Sequence, residues 1–138
     1  MIILDTNVLS ECLKPHPNST VLAWIESQPR SAMFTTTIVE AEILYGMNLL
    51  PDGARKNALR LAAKAMFDQD LADHVIAFDR DCAEAYAEIA ATRRELGKPI
   101  SQFDAMIAAV ARSRGATLAT RNDRDFADCG LVVINPWR

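Results

Sequence analysis

The sequence is poor in the residues that build structural zinc sites and disulfide frameworks. Its three cysteines, Cys12, Cys82 and Cys129, are scattered without a Cys-x-x-Cys pair, and only His16 and His74 accompany them. An odd number of isolated cysteines favours reduced thiols, and so few nitrogen and sulfur ligands disfavour zinc. We therefore expect a cytoplasmic protein whose fold depends on a hydrophobic core.

Long hydrophobic runs and an excess of positive charge are also missing. No apolar run approaches the roughly 18 residues of a membrane span, and the start lacks a basic leader, so no membrane partner is expected. The net charge of −3 gives no basic footprint of the kind DNA-binding domains show. Any contact with nucleic acid must be local. Arg121 and Arg124 are candidates, whereas Arg93 and Arg94 are expected on solvated helix faces.

Hydrophobic residues make up 50% of the 138 residues, which is enough for one domain, residues 1–138, to bury a core. Segments rich in β-branched residues alternate with helical segments, a pattern typical of an α/β fold with a mainly parallel sheet. About five strands are expected, in residues 1–4, 33–37, 75–78, 116–120 and 131–134. Helices are expected in residues 6–13, 18–28, 38–50, 53–71, 79–96 and 101–114, and the last carries an apolar stripe that includes Phe103 and Ile107.

The chain opens with an apolar run, Met1 to Leu4, that ends at a carboxylate, Asp5. Such a run suits a central strand buried on both faces, and ligands bind at the carboxyl ends of parallel strands. This position makes Asp5 a candidate site residue. The alternative is that Asp5 only caps the helix that follows.

Four acidic positions are expected at one edge of the sheet. Helices that connect parallel strands begin at the edge where strands end. Asp5 ends the first strand, Glu42 follows the second, and Asp104 lies in the first turn of the helix from Ser101. Either Asp123 or Asp125 follows the fourth strand.

Carboxylates that converge in this way repel one another, and a bound cation can neutralise them. Oxygen ligands without His or Cys favour Mg²⁺ or Mn²⁺, and Mg²⁺ uses only one or two direct carboxylates. Such a metal can activate water and polarise a phosphodiester, so the expected chemistry is phosphodiester hydrolysis.

Each candidate also has a simpler explanation. Ser101 to Asp104 resembles a capping box, Glu42 could be a solvated helix residue, and Asp123 and Asp125 could be turn residues. Residues beside the acids, namely Thr6, Asn7 and Thr120, could orient carboxylates through hydrogen bonds or could act only as caps.

Four segments together resemble a PIN domain of the VapC type, and the FitB-like subgroup is the nearest that the motifs indicate. These segments are Leu4 to Asn7, Thr37 to Gly46, Asp104 to Ala109, and Thr120 to Phe126. The resemblance extends over nearly the whole chain and implies a three-layer α/β/α fold.

The resemblance implies a magnesium-dependent endoribonuclease, the toxin of a type II toxin–antitoxin system, inhibited by a VapB-like antitoxin. It also implies a homodimer that reaches DNA only through the antitoxin. Asp5 and Asp104 match metal ligands, and Glu42 matches a further catalytic acid. For the fourth position Asp123 is slightly favoured, while Asp125 or the amide of Asn122 remains an alternative.

Two other function classes stay open. A phosphotransferase with Asp5 as nucleophile is disfavoured because Asn7 replaces the second acid that this chemistry usually needs. A non-catalytic interaction module within a DNA-bound repressor complex is the main alternative. Trp24 and Met47 are candidate exposed apolar residues for such interfaces.

Overall fold

A five-stranded sheet in the order β3-β2-β1-β4-β5 forms the centre of the computed structural model, which describes residues 1–138. All four neighbouring pairs are parallel. The strands are β1 Ile2–Leu4, β2 Met33–Thr36, β3 Val75–Ile76, β4 Thr117–Ala119 and β5 Val133–Ile134. The prediction of an α/β fold with a mainly parallel sheet of about five strands is confirmed.

Six α-helices connect the strands: α1 Thr6–Cys12, α2 Ser19–Glu26, α3 Thr37–Asn48, α4 Ala54–Ala65, α5 Arg80–Glu95 and α6 Gln102–Ser113. Polar side chains start several of them, since Asn18, Thr36, Asp79 and Ser101 each accept a hydrogen bond from a first-turn amide. If all crossovers are right-handed, the reversal of strand order after β3 places α5 and α6 on the opposite face from α1 to α4.

The hydrophobic core is one cluster built around strands β1 and β4 and helix α6. Ile3 and Leu118 are fully buried, as are Ile107 and Val110 on the helix that covers them. Phe103 is 51% exposed, so the predicted apolar stripe of α6 does not include it. The stripe fails there because Phe103 lies in the first turn of the helix, before its buried run begins at Ala105.

Several predicted boundaries are wrong by a few residues. The helix expected to reach Leu71 ends at Ala65 and continues as a π-helical turn, Met66–Asp70, in which the Leu71 amide donates to the Met66 carbonyl at 2.8 Å. Strands β3 and β5 contain two residues each. The polar loop after β4 contains a 3-10 turn, Asp123–Phe126.

Helix α5 departs from the simple rule that helices begin where parallel strands end. The Asp79 carboxylate at its start accepts a hydrogen bond at 2.9 Å from Arg114, which follows the end of α6. Helices α5 and α6 are therefore antiparallel, and α5 begins at the far edge of the sheet. Because α6 runs back toward the start of β4, its first turn, with Asp104, lies at the edge where the strands end.

The candidate interface residues differ in exposure. Met47 is only 7% exposed and belongs to the core, so its predicted exposure is wrong; it lies on the same face of α3 as the buried Ile43. Trp24 is partly buried against the core. None of the helices combines the length and apolar character that a membrane-spanning helix needs.

Candidate active site

Asp5 follows β1 directly and is only 4% exposed. Its backbone amide continues the pairing with β4 by donating to the Ala119 carbonyl at 3.0 Å. One carboxylate oxygen accepts from the Thr6 amide at 2.8 Å, so Asp5 does cap α1. The other oxygen accepts from the Thr120 hydroxyl at 2.7 Å, a bond across 115 residues of sequence that no helix cap needs.

Glu42 lies one turn into α3 and is half-buried. Its Oε1 atom accepts a hydrogen bond from the Thr6 hydroxyl at 2.8 Å. Because Thr6 is the neighbour of Asp5, this bond brings the two acids to the same edge of the sheet. The predicted orienting role of Thr6 therefore has a direct structural counterpart.

Asp104 lies in the first turn of α6 and is half-buried. Its backbone amide donates to the Ser101 hydroxyl at 3.2 Å, so Ser101 caps the helix. No backbone amide donates to the Asp104 carboxylate, and the reciprocal half of a capping box is absent. The Asp104 carboxylate therefore accepts no backbone hydrogen bond, and the Ser101 hydroxyl lowers its pKa by less than burial raises it.

Burial raises the pKa values of all three acids, and the charge of Asp104 acts on the other two. Burial raises the pKa of Asp5 to about 6 from 3.8, the charges of Asp104 and Glu42 act in the same direction, and hydrogen bonds from Thr120 and Thr6 oppose the shift. Burial also raises the pKa values of Glu42 and Asp104, and the Asp104 charge contributes to the shift at Glu42. Asp104 thus acts on both Asp5 and Glu42, and we refer to these three side chains as the carboxylate cluster.

No basic side chain neutralises this cluster by direct pairing. The protein has eight ion pairs, and none includes Asp5, Glu42 or Asp104. The charge of Arg93 lowers the pKa of Asp104, but less than burial raises it. The negative charge of the cluster is therefore not neutralised within the protein, and a bound cation could neutralise it.

The two loop acids have different surroundings. The Asp123 carboxylate pairs with the Arg138 guanidinium at 3.2 Å. Asp125 is exposed, and its charge contributes to the raised pKa of Asp104 after burial. The backbone amide of Asn122 donates to the Thr120 hydroxyl oxygen at 3.1 Å, and the Asn122 side chain makes no hydrogen bond to the acids. Of the three predicted candidates for the fourth position, Asp125 is the acid that acts on the cluster.

Asn7 and Thr120 form a polar frame beneath the cluster. The Asn7 side-chain amide donates to the Thr120 hydroxyl oxygen at 3.2 Å and to Asp5 at 3.5 Å, while its carbonyl accepts from the Arg121 backbone at 3.1 Å. Thr120 is completely buried. This frame holds the end of β1 against the end of β4.

Sequence reasoning missed the role of Arg93, which is only 6% exposed and not on a solvated face as expected. Its guanidinium donates to the carbonyls of Lys98 and Asp125 at 2.7 Å each and of Ala127 at 3.0 Å. The side chain thus ties the turn before α6 to the loop that carries Asp125. Nothing in the local sequence distinguishes Arg93 from its exposed neighbour Arg94.

The donor set determines which metal would suit the cluster. No group of three or more His, Cys, Asp or Glu side chains is close enough to hold a metal ion. Mg²⁺ does not require such a group, because it takes one or two carboxylates and retains several water molecules. An oxygen-only cluster without a paired cation fits that ion in chemistry and in charge.

Comparison with known proteins identifies the family. The family model described as PIN domain matches residues 2–130. A protein named VapC ribonuclease Y4jK, from Sinorhizobium fredii, is 38% identical over 137 residues, covering 99% of this chain and 98% of the relative. Toxin FitB from Neisseria gonorrhoeae is 37% identical over 137 residues, covering 99% of each chain.

The fold comparison points the same way. A chain in the solved structure of FitAB bound to an IR36 DNA fragment superposes with a TM-score of 0.93 at 37% identity, covering 100% of this chain and 96% of that one. With a family model that spans most of the sequence and relatives that align along nearly their whole length, this protein belongs to the PIN-domain family, in the group that contains VapC and FitB.

Proposed function

We propose that this protein is a magnesium-dependent endoribonuclease and the toxin of a type II toxin–antitoxin pair. The observation that carries the proposal is the cluster of Asp5, Glu42 and Asp104, whose pKa values are all raised and whose charges no basic side chain pairs. The names of the relatives, a VapC ribonuclease and a FitB toxin, support the choice of RNA as substrate. The proposed location is the cytoplasm.

Asp5 and Asp104 are the proposed direct ligands of Mg²⁺, with Mn²⁺ as a possible substitute. Bound there, the ion supplies positive charge at the carboxylates and activates water for attack on phosphorus. Thr120 and the Thr6 amide fix both oxygens of Asp5, so this carboxylate has one orientation before any ligand arrives. Such preorganisation reduces the reorganisation that binding requires.

Glu42 is the proposed proton acceptor. Thr6 holds its Oε1 atom, and no hydrogen bond occupies Oε2. Its raised pKa brings the carboxylate closer to the range in which it can accept a proton from the attacking water near neutral pH. As water adds to phosphorus, one P–O bond of the RNA backbone breaks.

For the fourth position we propose Asp125 in place of Asp123. The carboxylate of Asp123 is already paired with Arg138, whereas the charge of Asp125 acts on Asp104. Arg93 holds the Asp125 carbonyl and thereby positions this part of the loop. Asp125→Asn is expected to reduce cleavage more than Asp123→Asn does.

The proposed inhibitor is a VapB-like antitoxin. We propose that this protein associates with DNA only through that antitoxin, since a solved FitAB complex is bound to DNA. A groove of about 630 Å³ begins at Thr6 and Glu42 and continues between α1, α3 and α4 past Leu59 and Ala62. We propose that an antitoxin segment lies there and covers the site. Ala62→Glu in the groove is expected to abolish co-purification with the antitoxin while RNA cleavage persists.

The protein is also proposed to form a homodimer. Exposed apolar side chains occur on the two helices that carry Glu42 and Asp104, with Leu44 at 45% and Tyr45 at 56% exposure on α3 and Phe103 at 51% on α6. A contiguous patch of such residues is typical of an interface. Sedimentation of the wild type and of Tyr45→Glu tests this: the variant is expected to be monomeric.

Cleavage of a panel of structured RNAs tests the main proposal. Purified protein is assayed with Mg²⁺, with chelator, and as Asp5→Asn, with Asp81→Asn as a matched control because Asp81 is an exposed carboxylate on α5, the helix that begins at the far edge. We expect Asp5→Asn to lose about 100-fold or more in activity and the control to keep it. Equal cleavage by Asp5→Asn and wild type refutes the proposed site.

Metal binding gives a second measurement that does not depend on turnover. Titration calorimetry with Mn²⁺ is expected to show binding to the wild type and to the Asp81→Asn control, and none to Asp5→Asn. A folded protein that binds the metal at this site but cuts no RNA would favour the alternative role as a non-catalytic interaction module.

A further inference from the structure

Arg121 and Trp137 form a side-chain pair next to the carboxylate cluster. The Arg121 guanidinium lies over the Trp137 ring, 5.2 Å from its centroid. Arg121 is exposed, whereas Trp137 is partly buried and packs against the hydrophobic core. The tryptophan is therefore a fixed support, and the guanidinium is the part of the pair that faces solvent.

Hydrogen bonds hold both backbones of the pair in place. The Arg121 amide donates to the Asn7 side chain at 3.1 Å, and Asn7 in turn contacts Asp5. The Asn135 side chain donates to the Arg121 carbonyl at 3.1 Å and accepts from the Trp137 amide at 2.9 Å. The pair is thus tied to the same frame that positions the buried carboxylate.

Arg121 forms no ion pair in the protein, although its charge contributes, after stronger causes led by the hydrogen bond from Lys14, to the lowered pKa of Glu11. No carboxylate lies within the 4.0 Å that defines an ion pair, although Arg138 nearby is paired with Asp123. An arginine stacked on an aromatic ring loses less conformational freedom when it binds a ligand, and its planar fork suits phosphate oxygens. This chain has a net charge of −3, so it needs such local positive charge to hold a polyanion.

We infer that Arg121, supported by Trp137, binds a phosphate of single-stranded RNA adjacent to the bond that is cut. The inference rests on the proposed action on RNA and adds the group that holds the strand at the acidic cluster. Arg121 acts in binding, since its guanidinium projects from the rim of the site, and Asp5 remains on the buried side of the frame. Trp137 is a positioning residue that acts through Arg121.

Fluorescence anisotropy with a labelled single-stranded oligoribonucleotide, in chelator and at several salt concentrations, tests the inference. The matched control is Arg80→Gln, which removes the same charge from the start of α5 at the far edge of the sheet. Arg121→Gln is expected to weaken binding by about 10-fold and to flatten the dependence of log K on log salt by about 0.7. Arg80→Gln is expected to change neither.

Substitutions at Trp137 show whether its ring supports the Arg121 guanidinium or only stabilises the fold. Trp137→Phe keeps an aromatic face and is expected to bind like the wild type, whereas Trp137→Leu is expected to weaken binding about 3-fold through loss of the cation–π contact. Thermal melting of each variant checks the fold. If Trp137 acts through Arg121, Trp137→Leu has no further effect on affinity in an Arg121→Gln background; a purely structural role predicts the same loss of affinity in both backgrounds.

Cleavage kinetics complete the test. Arg121→Gln is expected to raise KM while kcat changes little, since the group contributes to binding and not to the chemical step. Unchanged RNA affinity in Arg121→Gln overturns the inference and leaves the nuclease proposal intact. Binding that depends on Arg121 in a wild type that never cuts RNA supports the inference and counts against the nuclease.

Discussion

Replacing Asp5 with asparagine is expected to stabilise the metal-free protein. Burial raises the pKa of Asp5 from 3.8 to about 6, so its ionised form is less favourable in the folded than in the unfolded chain. A difference of about 2 pKa units corresponds to about 3 kcal/mol at pH values above 7. An asparagine of nearly the same shape carries no charge and avoids this cost.

The gain is reduced by the hydrogen bonds that the charge receives. The Thr120 hydroxyl donates to the carboxylate at 2.7 Å and also accepts from Asn7 and from the Asn122 amide. An amide nitrogen at that position would give Thr120 a further donor and leave its proton without an acceptor, at a cost of about 1 to 2 kcal/mol. The net stabilisation is therefore about 1 to 2 kcal/mol, or about 5 °C in Tm.

The pH dependence gives the prediction its sign. Between about pH 4 and 6 the folded wild type binds more protons at Asp5 than the unfolded chain, so its stability falls as pH rises through this window and is constant above it. Asp5→Asn removes this slope. The variant is expected to be more stable at pH 7.5 and to lose that advantage near pH 4.

Melting curves by circular dichroism, in chelator from pH 4 to 8, measure both effects, and Asp81→Asn serves as the exposed control. Added Mg²⁺ is expected to reverse the order, because a ligand at 100 times its Kd stabilises the wild type by about 2.7 kcal/mol and has no site in the variant. An Asp5→Asn protein that melts below the wild type at pH 7.5 in chelator would refute the electrostatic account.

Three further predictions concern other contacts. The hydrogen bond from Arg114 holds the pKa of Asp79 below its usual range; this stabilisation is present above pH 3.8 and is lost as pH falls through the folded-state pKa, so Asp79→Asn should show a flatter acid limb in melts by circular dichroism. Arg93→Met removes a donor from three carbonyls, of which Ala127 keeps only the weak Cys129 thiol at 3.6 Å, and urea unfolding should show a loss of about 3 kcal/mol that Arg93→Lys does not fully restore. Thr6→Val removes the donor that lowers the pKa of Glu42 and should move the acid limb of the cleavage pH profile to higher pH, whereas Thr6→Ser should leave it in place.

The convergence of acids was predictable because it depends on topology and not on side-chain detail. Asp5 and Glu42 follow parallel strands, and Asp104 starts the helix that leads back to β4, so the chain direction alone places them at one edge. Helix α5 begins at the far edge of the sheet, but this does not affect the result, because α6 begins at the edge where the strands end. Strand and helix identity also followed from β-branched runs and helical spacing.

Other features depend on tertiary contacts that local sequence does not encode. Residues 66–70 continue the helical sequence pattern of α4. They form a π-helical turn instead, where Met66 and Phe67 are buried against the core. Likewise, Arg93 and Arg94 are identical in sequence terms, and only the position of the loop near Asp125 decides which guanidinium is buried. The choice between the loop acids depends in the same way on Arg138.

The chemistry of the frame supports the proposal that the cluster binds an external cation. The groups that fix the acids are hydroxyls and amides, supplied by Thr6, Asn7 and Thr120, and neutral donors orient carboxylates without cancelling their charge. A lysine in any of these positions would neutralise the site internally and remove the reason for a metal. The protein instead retains repulsion at a cost in stability, and an approaching RNA phosphate would increase it. Under the proposed function, RNA binding therefore requires positive charge both within the cluster, from the proposed ion, and at its rim, where Arg121 lies.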